Sequence, residues 1–400
     1  MKKKLIKKIV VWSDTQILQI FIITVLFLFI LFMFLLTQKD VLSLVDITIL
    51  STFLITFFVT LLFNKSIDIL RVHVEDEIKI NYDFEKIKEQ YPLEVVKSSF
   101  YKDNEDNFWP IIILYSHNSD KKITIKDSAE VYLLPSIISN YTDRILTAHK
   151  ASHFKNNKMI RMNKIEVSDN EVNIFTSRTT YLNTLITNRA IDYHVSQSLT
   201  VRDVLEPGPY INDLDVSTLS NHIGFNILVF DKDNNIVLSQ RSNKVSTAKS
   251  KYSFGVSGSL KSIYSLDNHN KLSIKGIEHA IKMEIKDELG IDNSYVSFDF
   301  NEDLLCVYRE VYEGGKPHFL LKCKINFTGD EIIEFFNNND GLKNLSKDSH
   351  SLKIINQSEL YNSNISKSSI ELPDEIIDFA FTVTAPMKVA VDMLDKEIVV

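Results

Sequence analysis

Ile277–Ile291 reads "IEHAIKMEIKDELGI". Ile281, Ile285 and Leu289 recur every four residues, the apolar stripe of an α-helix, and Glu284, Asp287 and Glu288 fall at i, i+3 and i+4 on the edge beside it. Gly290 follows the last periodic residue, where a left-handed cap favours a residue without Cβ. Three clustered carboxylates repel one another unless a divalent cation or lysines sit among them. The stretch therefore reads as a working metal site, the remnant of one, or a solvated helix face.

The segments around this helix set the fold class. "GFNILVFDKDNNIVLSQRS", from Gly224, is a β-hairpin with a turn at "DKDNN". "KSKYSFGVSGSL", from Lys249, adds a short strand and the glycines Gly255 and Gly258. Strands follow the helix at "VSFDF", "LLCVYREVYEGG" and "HFLLKCKINFTG". The order predicts an α/β sandwich around a mixed sheet, with "LPDEIIDFAFTVTAPMKVAVDML" as a closing helix broken near Pro386.

Upstream, Ile17 to Leu36 is apolar with only Gln19 and Thr24 as polar interruptions, and a second uncharged run ends at Phe63. These runs, the second from Ile47 to Phe63, predict a two-helix transmembrane hairpin with helices at about 17–36 and 44–63. The lysines of "MKKKLIKK" place both termini on the cytoplasmic side of an inner membrane, a multi-pass arrangement with the lipid bilayer as partner. The expected domains are residues 1–64, a connector with a mixed region over 65–175, and a sandwich domain over 176–400. The chain has 400 residues, a net charge of -7 and pI about 5.8, which gives no reason to expect duplex nucleic acid. Cys306 and Cys323 form neither a CxxC pair nor a disulfide framework. No glycine occurs in the first 200 residues, which excludes a glycine-rich phosphate loop there. Arg178 to Arg202, "RTTYLNTLITNRAIDYHVSQSLTVR", interleaves arginines and tyrosines with amides, residue types that grip phosphate and stack on bases.

The helix resembles part of the Nudix box, G-x5-E-x7-R-E-U-x-E-E-x-G-U. Met283 to Ile291 aligns to its end without gaps, so the resemblance puts Glu284, Asp287 and Glu288 on the family's metal-binding acids, with Mg²⁺ as the candidate ion. The match departs where hydrolysis is concerned: Met283 stands at the box arginine, Lys275 at the upstream glutamate and His269 at the box glycine. The whole arrangement resembles the transmembrane Nudix effectors of CBASS, the cyclic-oligonucleotide antiphage systems. That resemblance implies a non-enzymatic effector of abortive infection. It would bind a cyclic di- or trinucleotide, require no cofactor, form a homo-oligomer and disrupt the inner membrane. The expected ligand contacts are Arg178, Tyr181, Arg189, Asn221, His222, Arg241, Lys249 and Phe254, with cationic groups on phosphates and Tyr181 and Phe254 on bases. The alternatives are a membrane-tethered Mg²⁺-dependent Nudix hydrolase of nucleoside diphosphate derivatives, and an adaptor that binds protein only.

Overall fold

The computed structural model describes residues 84–400, apart from 118–119, 150–154, 197, 209–210, 242–250, 339–348, 367, 380 and 399–400; upstream it describes Thr56, Val59 and Ile78. The chain forms two compact units, Met1–Ile78 with Thr142–Ala151, and Lys79–Tyr141 with Ser152–Val400. Among the described residues no helix is long and apolar enough to cross a membrane. The longest, an 18-residue helix over Phe381–Ile398, carries Lys388 and Asp392, and its apolar side chains pack into a protein core. The expected fold class, with a transmembrane hairpin ahead of the sandwich, is thus corrected to a mixed α/β fold, and the multi-pass inner-membrane placement falls with it. Apart from Thr56 and Val59, the two apolar runs lie outside the described residues.

The larger unit contains fifteen described strands. They are β1 (Ile111–Ser116), β2 (Lys122–Val131), β3 (Lys158–Val167), β4 (Glu171–Thr180), β5 (Gly224–Phe230), β6 (Ile236–Arg241), β7 (Tyr252–Phe254) and β8 (Val256–Ser259), then β9 (Val296–Ser297), β10 (Leu304–Glu310), β11 (Lys316–Ile325), β12 (Ser349–Ile355), β13 (Asn364–Ile365), β14 (Ser369–Glu371) and β15 (Ile376–Asp378). The main sheet runs β1-β10-β11-β5-β6-β12, with β7 on β6, β8 on β5 and β9 on β11. Only the β11–β5 pair is parallel in it. A second sheet, β2-β4-β3, mixes a parallel and an antiparallel pair.

Alternation along the central strands sends side chains to two layers. Phe225, Ile227 and Val229 of β5 and Phe319, Leu321 and Cys323 of β11 share one core with Ile277, Ile281, Ile285 and Leu289 of α2 (Ile274–Leu289) and Ile332 of α3 (Gly329–Asn338). Leu228, Leu320 and Cys306 face the other way and join Val383, Met387, Ala390 and Leu394 of α4 (Phe381–Ile398). Burial on both faces explains why β5, β10 and β11 read as nearly continuous apolar runs. The small sheet adds Ile123, Ile160, Met162, Val172 and Ile174 to the α2-side core. Ile160 exchanges backbone hydrogen bonds with Leu260 and Ile223, which pins β3 beside β8.

Ser273 caps α2, its hydroxyl accepting from the Gly276 N–H at 3.2 Å, and Gly290 ends it at φ 74°. Gly276 is required by packing. A Cβ there would lie 2.0 Å from the backbone oxygen of Ser265. Alanine's helix preference is worth about 1 kcal/mol over glycine, less than the backbone shift it would force. Gly276→Ala is expected to lower the melting temperature, with a net loss of about 1–2 kcal/mol in urea unfolding.

Other expectations shift in detail. The mixed region holds two short helices, Ser136–Ser139 and Thr142–Ala148. Part of the expected closing helix, "LPDEIIDF", belongs instead to the β13-β14-β15 meander, and α4 continues through Pro386. β4 runs across the expected 175/176 boundary.

Candidate ligand-binding site

The acidic edge of α2 faces β8. Glu284 is buried and takes the Lys261 ammonium on both carboxylate oxygens, at 2.9 and 2.7 Å. Burial alone would favour neutral Lys261; the Glu284 carboxylate, with Asp287, offsets this and raises the lysine pKa above its ordinary value. Glu288 accepts the Ser257 backbone N–H at 3.3 Å, while Asp287 is exposed, 3.5 Å from the Tyr264 hydroxyl. The three expected metal acids therefore have different surroundings, and a lysine supplies the cation at the buried one. Gly258 makes this approach possible, because a Cβ would sit 3.0 Å from Glu284 Cγ and 2.6 Å from the Phe225 ring. Met283, at the box arginine, lies 3.9 Å through its sulfur from the Asn293 amide.

A second polar cluster sits where β10 turns into β11. Glu310 pairs with Lys316 and Tyr308 with His318 across the two strands. Glu310, Glu313, Lys316 and His318 are all buried. Glu313 has the Arg189 Nε 3.1 Å from one oxygen and the Lys316 Nζ 2.9 Å from the other. Burial would raise the Glu313 pKa, but these two cations hold it well below the carboxylate range. Glu310 goes the other way: burial first, then repulsion by Glu313, pushes it up to about 8. The ligand atoms of Glu310, Glu313 and His318 all lie within 4.8 Å of one another.

The segment after β4 delivers several expected ligand residues here. α1 (Tyr181–Ile186) starts at a Thr180 cap and is followed by a single turn over Asn188–Ala190. The Asn188 amide donates to Asn221 Oδ1 and to the Glu313 carbonyl, both at 3.0 Å. Asn221, at φ 46°, donates in turn to Ser217 Oγ at 2.9 Å. His222 has both ring nitrogens engaged, Nδ1 with Thr184 Oγ1 at 2.6 Å and Nε2 with Ser259 Oγ at 2.9 Å. The Tyr181 ring lies 6.2 Å from the His222 ring. Tyr181, Arg189, Asn221 and His222 thus converge, and Ser259 on β8 links them toward Lys261. Burial drives the His222 pKa well below 6.5, so the ring is neutral in the fold. The unfolded chain binds the extra proton below about 6.5, so stability is full above that pH and is lost as pH falls through it. His222→Gln is expected to flatten this slope in melting scans between pH 7 and pH 5.

The remaining expected contacts lie elsewhere. Arg178 is buried and held by Asp127 in two 2.7 Å hydrogen bonds, with a third to the Asn270 carbonyl at 2.8 Å. Arg241 ends β6, which there pairs with β7 and β12. Phe254 is fully buried in the core shared with α4. Lys249 lies outside the described residues. Sequence reasoning did not single out Lys261, Glu310, Glu313, Lys316 or His318. The one available signal was the run of charges in "REVYEGGKPH" between two apolar strands.

No protein-family model and no curated protein matches the chain. Among solved structures it is similar to DR0079 from Deinococcus radiodurans, at 11% identity over 35% of this chain and 70% of that one, with a TM-score of 0.22. That score carries no argument about fold or function.

Proposed function

We propose that the larger unit binds a cyclic di- or trinucleotide without hydrolysing it and serves as a sensor in an antiphage signalling response of the kind the CBASS resemblance implies. The observation that carries the non-hydrolytic part is the Lys261 ammonium on both oxygens of Glu284. A metal-dependent phosphoanhydride hydrolase needs its acids free to hold a divalent cation and an activated water. Here the buried acid is already neutralised, and the box arginine and upstream glutamate positions hold Met283 and Lys275. The ligand assignment rests on the convergence of Tyr181 and the half-buried Arg189 beside the His222 and Asn221 network. Arg189 would meet a phosphate and Tyr181 a base, so that one nucleotide spans the rim of the cluster.

The test is calorimetric titration of the full-length protein with cyclic di- and trinucleotides and with linear dinucleotides, followed by chromatography of the recovered ligand. Saturable binding of one cyclic nucleotide, recovered intact, is expected, with affinity lost in Arg189→Ala. Turnover of a linear nucleotide would replace the sensor with the hydrolase. Absence of binding across the panel would leave the protein-binding adaptor.

A further inference from the structure

We propose that Glu310, Glu313 and His318 form a binding site for a first-row divalent transition metal, with Zn²⁺ as the best-fitting ion. Three observations carry it. First, one ligand atom from each residue falls within 4.8 Å of the other two, on strands β10 and β11 and the turn between them, far in sequence from the acids of α2. Second, the donors are present but unused. Glu310 is 5% and His318 8% exposed, and neither His318 ring nitrogen nor Glu310 Oε1 has a hydrogen-bond partner. His318 Nε2 stands 3.5 Å from Glu310 Oε2, too far for a good hydrogen bond. Buried polar atoms without partners are costly, and an ion shared by Glu310 Oε1 and one His318 nitrogen lowers that cost.

Third, the side chains are held in place from outside. The His318 ring stacks on Tyr308 at 5.2 Å and 17°, and lies over Gly224, where a Cβ would come within 2.5 Å of it. Arg189 and Lys316 stand at ion-pair distance from the two oxygens of Glu313, as outer partners commonly orient a ligating carboxylate. Each carboxylate oxygen keeps a second lone pair for a metal. The competing reading is a closed ion-pair cluster with Lys316 and Arg189 as its cations. Both cations lie against Glu313, which leaves both His318 nitrogens and Glu310 Oε1 without hydrogen bonds. One imidazole with two carboxylates suits Zn²⁺ or its first-row neighbours, whereas Mg²⁺ favours oxygen ligands alone.

The full-length protein, freed of metal with a chelator, is titrated with Zn²⁺ by calorimetry. One tight site per chain is expected, weakened about 100-fold or more in both His318→Ala and Glu310→Gln and unchanged in Glu284→Gln. Circular dichroism checks that each variant is folded. A second measurement needs no variant: the Cu²⁺-loaded wild-type protein should show imidazole nitrogen modulation in electron spin-echo spectra. The proposal is overturned by no stoichiometric Zn²⁺, by binding that survives both ligand variants, by loss in Glu284→Gln, or by a copper spectrum without imidazole. It does not depend on nucleotide binding, which is measured separately in chelator.

Discussion

Replacing Asp127 with alanine is expected to remove about 3–5 kcal/mol of unfolding free energy, the largest loss we predict from one surface-remote side chain. Asp127 joins three pieces of the fold. Its carboxylate takes Arg178 Nη1 and Nη2 at 2.7 Å each, Thr176 Oγ1 at 2.7 Å and the Leu272 N–H at 2.8 Å. β2 is thereby tied to β4 and to the entry of α2. The pair is buried, with side-chain exposures of 8% for Arg178 and 2% for Asp127, so solvent does not screen it. Without Asp127, Arg178 keeps the Asn270 carbonyl but is left as a buried cation with no carboxylate. Urea unfolding measures the loss. A change under about 1 kcal/mol would mean that Arg178 is not a structural arginine and would return it to the ligand contacts expected from sequence.

Lys261→Met is expected to convert the α2 edge into a Mg²⁺ site. With the ammonium gone, the acids Glu284, Asp287 and Glu288, at i, i+3 and i+4, lose the Lys261 counter-charge at the buried one. A hard divalent cation with oxygen ligands is the species that relieves this repulsion. We expect Mg²⁺ affinity at least about tenfold above wild type, and a melting temperature that falls in chelator and recovers with Mg²⁺. Lys261 is 24% exposed, so the stability change itself is about 1 kcal/mol after screening. Equal Mg²⁺ affinity in wild type and variant would show that Lys261 does not occupy the cation position.

The sequence made α2 legible because two local signals agree there, the four-residue apolar spacing and the terminal glycine. The β5–β6 hairpin was legible from its polar turn between apolar runs. The β3–β4 hairpin was passed over, although Ser168 to Glu171 forms a polar turn between two alternating runs. β13 to β15 are two or three residues long, too short for periodicity to show. The site divides in the same way. Tyr181, Arg189, Asn221 and His222 were recognisable by type and do converge. Lys261 and Glu284 lie 23 residues apart, and their pairing is made by the approach of β8 to α2 at Gly258, which no local pattern records. Glu310, Glu313, Lys316 and His318 are brought together by the β10–β11 pairing and by Arg189 and Asn188 of the 181–190 segment against Glu313, which no local pattern records.

The most direct test of non-hydrolytic nucleotide binding is its metal dependence. The dissociation constant of the wild-type protein for its preferred cyclic nucleotide is measured in excess Mg²⁺ and in chelator. The ligand is then recovered after prolonged incubation with Mg²⁺. The same constant in both conditions and an intact ligand are expected, because Lys261 already neutralises Glu284. Binding that requires Mg²⁺, or a hydrolysed product, would contradict this expectation.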